Sequence, residues 1–125
     1  KQYGVACAIS RATLEAAGGG EAWLARPIDR VRVKGRREPI DVLEPIAPRE
    51  GPDARRDLER FASHTRRGFE AYTAMRWLQA RTEYHRSLEI READPVSRVM
   101  LERIDRFEKT PPSTPWDGSV ELATK

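Results

Sequence analysis

From Leu58 onward the apolar and small residues recur at steps of three and four: Leu58, Phe61, Ala62, Thr65, Phe69 and Tyr72. That spacing places them on one face of an α-helix. Trp77, Ala80, Tyr84 and Leu88 repeat the pattern on a second segment, and Val96, Val99, Met100, Ile104 and Phe107 on a third. The third helix has a well-marked start. Asp94 suits the N-cap and Pro95 suits the first helical position, where a missing N–H costs nothing. The breaks between segments are short, which favours antiparallel neighbours. We expect three stacked helices packed through Phe61, Phe69, Tyr72, Trp77, Tyr84 and Met100.

The first part of the chain has a different rhythm. Val5 to Ile9 is a small apolar run of strand length. Ser10 can then cap a short helix, Arg11 to Ala17, and Gly18-Gly19-Gly20 stops it and forms a loop. Ile28-Asp29-Arg30-Val31-Arg32-Val33-Lys34 alternates apolar and charged residues, the period of a half-buried strand. Gly35 to Glu38 supplies a turn, and Ile40 to Glu44 a return strand. Between the two parts, PIAPREGPD at 45–53 holds three prolines and a glycine and reads as a linker. TPPSTP at 110–115 separates the helices from the closing WDGSVELATK. The expected organisation is a strand–helix–hairpin piece at 1–47, a linker at 48–52, a helical module at 53–109 and a proline-rich tail at 110–125. The first piece is small for an independent core, so it should form the edge of a larger sheet.

Composition narrows the classes. The 125 residues carry 34% charged and 38% hydrophobic side chains, with a net charge of +3. No apolar run approaches the roughly 18 residues of a membrane span, and the opening KQYGVACAIS, without a sustained apolar core, is not expected to act as a signal peptide. Cys7 is the single cysteine, so an internal disulfide and a cysteine zinc site are excluded. The chain begins at Lys1 and is expected to be a piece of a longer protein. Acidic residues are interspersed with the arginines throughout, which argues against a nucleic-acid partner.

Few residues carry candidate chemistry. On the strand at 28–34, Arg30, Arg32 and Lys34, with Arg36 beyond them, share one face, and Val31 and Val33 share the other. The valines should face the core and leave a basic ribbon outside, a solvated edge unless a ligand claims it. His64 and His85 have no helical spacing and no acid or thiol cluster around them. Cys7 reads as a buried, inert thiol. Gly18-Gly19-Gly20 lacks the Lys-Ser/Thr of a phosphate-binding loop. Trp116 either folds back onto the helices or docks on another domain.

Taken in order, several segments resemble one family. They are Lys1-Gln2-Tyr3-Gly4, the small apolar strand, Ser10-Arg11-Ala12-Thr13, Arg30-Val31-Arg32-Val33-Lys34-Gly35-Arg36, and Pro39-Ile40-Asp41-Val42-Leu43-Glu44. Together they are similar to the C-terminal end of the catalytic domain of class III adenylate/guanylate cyclases. There a K-x-Y-G segment is followed by a closing V-K-G-x-x-x-P-x-x-V-Y-E hairpin. Leu43 stands where the family often has an aromatic. The resemblance covers about residues 1–47. Gly68, Tyr72, Trp77, Ala80, Tyr84 and Leu88 resemble one tetratricopeptide-like helix pair, and PPSTPWDGSVELATK resembles the W-D-G endings of helical tails on bacterial cyclases.

The resemblance implies an α+β fold: the C-terminal strand–helix–hairpin portion of a ferredoxin-like cyclase domain, then a small three-helix tetratricopeptide-like module. It implies a lyase that turns ATP or GTP into a 3′,5′-cyclic nucleotide and pyrophosphate in signal transduction. Two catalytic domains would pair head to tail, with Mg2+ or Mn2+ held by carboxylates upstream of Lys1. Of the substrate-binding residues only one falls in this chain: Lys34, in V-K-G, at the family's triphosphate-contacting position. No catalytic and no metal-binding residue is expected here, so the chain alone should be inactive. The segment would be cytoplasmic, with the parent anchored to a membrane through its N-terminal region in some relatives. The competing expectation is a tetratricopeptide-like module that binds a protein partner and has no enzymatic activity.

Overall fold

A computed structural model describes residues 8–48 and 56–122. The Lys1–Gly4 segment, Cys7, most of the expected first strand and residues 49–52 of the expected linker lie outside the described residues. The fold is α+β, with a four-stranded mixed sheet and five helices. Chain order is β1 (Ile9–Ser10), α1 (Arg11–Ala16), α2 (Gly19–Ala22), β2 (Trp23–Val33), β3 (Ile40–Pro48), α3 (Arg56–Thr73), α4 (Trp77–Ile90), α5 (Pro95–Lys109) and β4 (Val120–Leu122). The sheet order is β1-β3-β2-β4. β1–β3 and β3–β2 are antiparallel, and β2–β4 is parallel. Among the described residues no helix is long and apolar enough to cross a membrane.

Local signals account for much of this. Ser10 caps α1, its Oγ accepting from Thr13 N at 3.2 Å. Asp94 caps α5 by accepting from Ser97 N at 3.1 Å, and Pro95 opens that helix. The glycine run behaves otherwise than expected. Gly18 alone ends α1, with φ of 109° in the left-handed region that suits glycine. Gly19 and Gly20 then enter the single turn of α2 instead of forming a loop.

The hairpin is longer than its alternating segment. β2 begins at Trp23 rather than Ile28, and β3 runs on to Pro48 through what read as linker. Both extensions contain proline, which removes a ladder hydrogen bond and is tolerated at bulges. The register shifts between Leu24 and Ala25, beside the Ala25–Pro45 pair, and again between Pro27 and Asp29. Pro27 and Pro45 therefore sit where the ladder is already interrupted, and Pro48 is the last residue of its strand. Ile28, at the second shift, is fully buried and joins the helical core.

That core contains Phe69, Ala71, Tyr72, Ala80, Tyr84, Val96, Met100 and Ile104 from the three long helices, together with Ile28 from the hairpin. Phe61 is fully buried as well, whereas Trp77 is half-buried against the cluster. Hairpin and helices thus bury apolar surface against each other. The tail continues this packing. Trp116 lies 5.3 Å from the Tyr72 ring and 5.4 Å from the Phe107 ring, so it folds back onto the helices. Beyond it, β4 pairs with β2, a strand absent from the expected tail.

Candidate functional site

Lys34 follows the last residue of β2 and is exposed in the turn that connects it to β3. Among the described residues it has no hydrogen-bond or ion-pair partner. Arg36 is exposed in the same connection, and its amide donates to Val33 O at 2.9 Å.

The other two cations of the expected basic ribbon are partly exposed but paired. Arg30 Nε donates to Asp41 Oδ1 at 2.7 Å, its cross-strand partner, and Arg30 Nη1 donates to the Asp117 carbonyl at 2.7 Å. The Arg30 guanidinium also lies over the Phe69 ring at 5.8 Å. Arg32 Nη2 donates to Asp117 Oδ2 at 2.9 Å and to Ser119 Oγ at 3.0 Å. The W-D-G-S segment therefore grips two of the three cations on this face and leaves Lys34 outside. On the other face Val31 is buried as expected, and Val33 is half-buried.

The grip is pre-shaped. Ser119 donates from both Oγ and N to Asp117 Oδ1, at 2.5 and 2.9 Å. These bonds, with Arg32 beside the other oxygen, pull the Asp117 carboxyl down to about 2. Trp116 Nε1 donates to Ser119 O at 2.9 Å. Gly118 has φ of 86°, and a Cβ there would lie 2.8 Å from Thr73 Cγ2 and 3.0 Å from Arg30 Nη1. Only glycine fits both the conformation and the space.

A second set of charges lies inside the molecule. Arg26, 1% exposed, meets Asp94 through two parallel bonds of 2.8 and 2.7 Å and Glu44 through Nε at 2.8 Å. Its guanidinium also lies 4.8 Å from the Phe61 ring centroid. Burial opposes the charged form of Arg26, but Asp94 and Glu44 outweigh it and raise its pKa. Burial likewise opposes ionisation of Asp94, but Arg26 and the Ser97 donors hold the carboxyl below its usual range. Arg103 Nη1 donates to Asp29 Oδ2 at 2.8 Å and to Tyr72 OH at 3.3 Å. Burial, opposed by Arg103, pushes the Tyr72 phenol up to about 12. These pairs tie β2 to α5 with opposite charges satisfied, so they have the character of a structural lock rather than of acid–base catalysis.

The remaining candidates are dispersed. His64 Nδ1 lies 2.7 Å from Glu83 Oε1, bridging α3 and α4, and His85 is exposed on α4. Among the described residues no group of three His, Cys, Asp or Glu side chains is placed to hold a metal ion. A cleft of about 310 Å³ opens between α1, the hairpin and α3, with Leu14, Trp23, Pro27, Leu43, Phe69 and Arg66 among its lining residues. Lys34 is not part of it.

Sequence reasoning missed Arg26, Asp29, Asp117 and the second role of Asp94. One signal was present for the interior pairs. Arg103 lies three positions after Met100 and seven after Val96, on the apolar stripe of α5. A charge on such a stripe implies a buried counter-charge. Comparison of the chain with family models, with curated proteins and with solved structures finds no match.

Proposed function

We propose that this chain is the C-terminal end of a class III adenylate/guanylate cyclase, in which Lys34 contacts the triphosphate of ATP or GTP. The observation that carries the reading is the state of the three cations along the end of β2. Arg30 and Arg32 are engaged by Asp41, Asp117 and Ser119, whereas Lys34 is exposed and unpaired among the described residues. The free cation is the one in V-K-G, on the strand–helix–hairpin order that the ordered segments resemble. In this reading the carboxylates that hold Mg2+ or Mn2+ lie upstream, and the described residues offer no group to replace them. The catalytic domains pair head to tail as a homodimer, and the three helices form a tetratricopeptide-like module on the cytoplasmic side.

The test is kinetic, on the longer protein that carries the upstream residues. Lys34→Ala removes one charge-assisted contact, worth about 1.5–3 kcal/mol. The expected loss in kcat/KM is therefore on the order of ten- to a hundred-fold. Arg32 is unsuitable as a control, because Asp117 and Ser119 hold it. Arg36→Ala, exposed in the same turn, should change kcat/KM by less than about threefold, as is usual for a solvated surface group. Equal small effects of the two substitutions would rule out the phosphate role. Residues 1–125 alone should form no cyclic nucleotide, and turnover by this chain would contradict the reading.

A further inference from the structure

We infer that Asp117, Ser119 and β4 are positioning elements for Lys34, so that the tail after the helices sets the geometry of the triphosphate contact. The inference rests on the cyclase reading for its substrate, but its structural part does not. The register between β2 and β3 ends at Val31–Ile40. Arg32 and Val33, the two residues before Lys34, pair instead with Glu121 and Leu122 of β4. Beyond Val31 the strand pairing of β2 is thus with the tail, while the turn itself is closed by the Arg36 amide on Val33 O at 2.9 Å.

The side chains repeat the arrangement. Arg32 is held by Asp117 and Ser119, and Arg30 by the Asp117 carbonyl. The segment that holds them is itself seated on the helices. Trp116 packs against Tyr72, Trp77 and Phe107, and Gly118 is pressed against Thr73. A continuous set of contacts therefore runs from the aromatic cluster of α3, α4 and α5, through 116–119, to the last residues of β2. Lys34 itself stays outside every one of these contacts, as a side chain that must reach a ligand requires. The helical module acquires a role that needs no partner protein: it is the base on which the hairpin tip is aligned.

Two readouts test this on Asp117→Ala and on Asp117→Glu, which restores the charge. In the 125-residue chain, amide hydrogen exchange of residues 32–36 should speed up at least tenfold in Asp117→Ala. Exchange in α3, α4 and α5 should stay as in the wild type, and Asp117→Glu should recover part of the protection. In the longer protein, Asp117→Ala should raise KM for the nucleoside triphosphate about three- to tenfold with a smaller change in kcat. In a Lys34→Ala background it should add less than twofold, because there is no longer a cation to misplace. Unchanged exchange at 32–36, or full multiplication of the two KM effects, overturns the positioning role while leaving the cyclase reading intact. Absence of cyclic-nucleotide formation by the wild-type longer protein overturns the cyclase reading and the substrate named here, whatever the exchange shows.

Discussion

Gly68 shows how closely α3 and α4 approach. A Cβ at this position would lie 2.9, 3.0 and 3.1 Å from three atoms of the Tyr84 ring. The ring is rigid and fully buried, and burial raises the phenol pKa well above its ordinary value. It has nowhere to yield. Gly68→Ala should gain up to about 1 kcal/mol of helix propensity, yet overpacking of this kind costs about 1–3 kcal/mol. We expect a net loss of up to about 2 kcal/mol in urea unfolding at constant m-value. A stabilised variant would mean that α4 shifts freely and that the contact is loose. Tyr72 and Tyr84 were visible in the sequence because each follows the helical period of its own segment, and Gly68 through the resemblance to a tetratricopeptide-like helix pair. That Gly68 and Tyr84 face each other depends on the turn between the helices, which periodicity does not specify.

The hairpin and α5 are joined by charges that the sequence presents as unrelated. Asp29 falls in a strand that alternates with arginines, and Arg103 falls in a helix 74 positions away. Only the fold places them together, so nothing in the alternating pattern itself showed that Asp29 has a buried partner. Removing one partner of such a buried pair typically costs about 3–5 kcal/mol. Arg103→Ala should therefore destabilise by about that amount, since Asp29 is fully buried. Asp29 Oδ1 also accepts from Arg30 N at 2.8 Å. The double variant Asp29→Asn/Arg103→Met keeps an acceptor there and removes both charges, so it should recover more than half of the loss. Chemical denaturation of the three proteins decides it, and a double variant as unstable as Arg103→Ala would show that packing of the Arg103 stem, not charge, dominates. The three long helices were legible because 3.6-residue periodicity persists over 14 to 18 residues. β4 was not, because a three-residue strand has no periodicity and its pairing is dictated by Trp116 seating upstream of it.

Across the folded chain, carboxylates with lowered pKa connect stability to pH. Asp94 and Asp117 are both depressed, Asp117 to about 2 through the Ser119 donors and Arg32. A carboxyl more acidic folded than unfolded contributes its full stabilisation above the unfolded value of about 3.9. That contribution fades as pH falls toward the folded value. The thermal midpoint should therefore drop between about pH 4 and pH 2. The gap between wild type and Asp117→Asn should be open at pH 6 and should shrink toward pH 2; a gap independent of pH would remove the electrostatic account of the clamp. The same clamp has a temporal side. Arg30 and Asp117 are 87 positions apart. A ribosome adding about 5–20 residues per second needs about 4–17 s to cover that distance. For that interval the end of β2 has emerged without the strand that completes it, and an unpaired strand edge is a template for aggregation. Arg30 and Arg32 then stand beside Val31 and Val33 as charges that discourage mispairing. The two arginines thus serve the newborn chain as gatekeepers before they serve the folded one as handles.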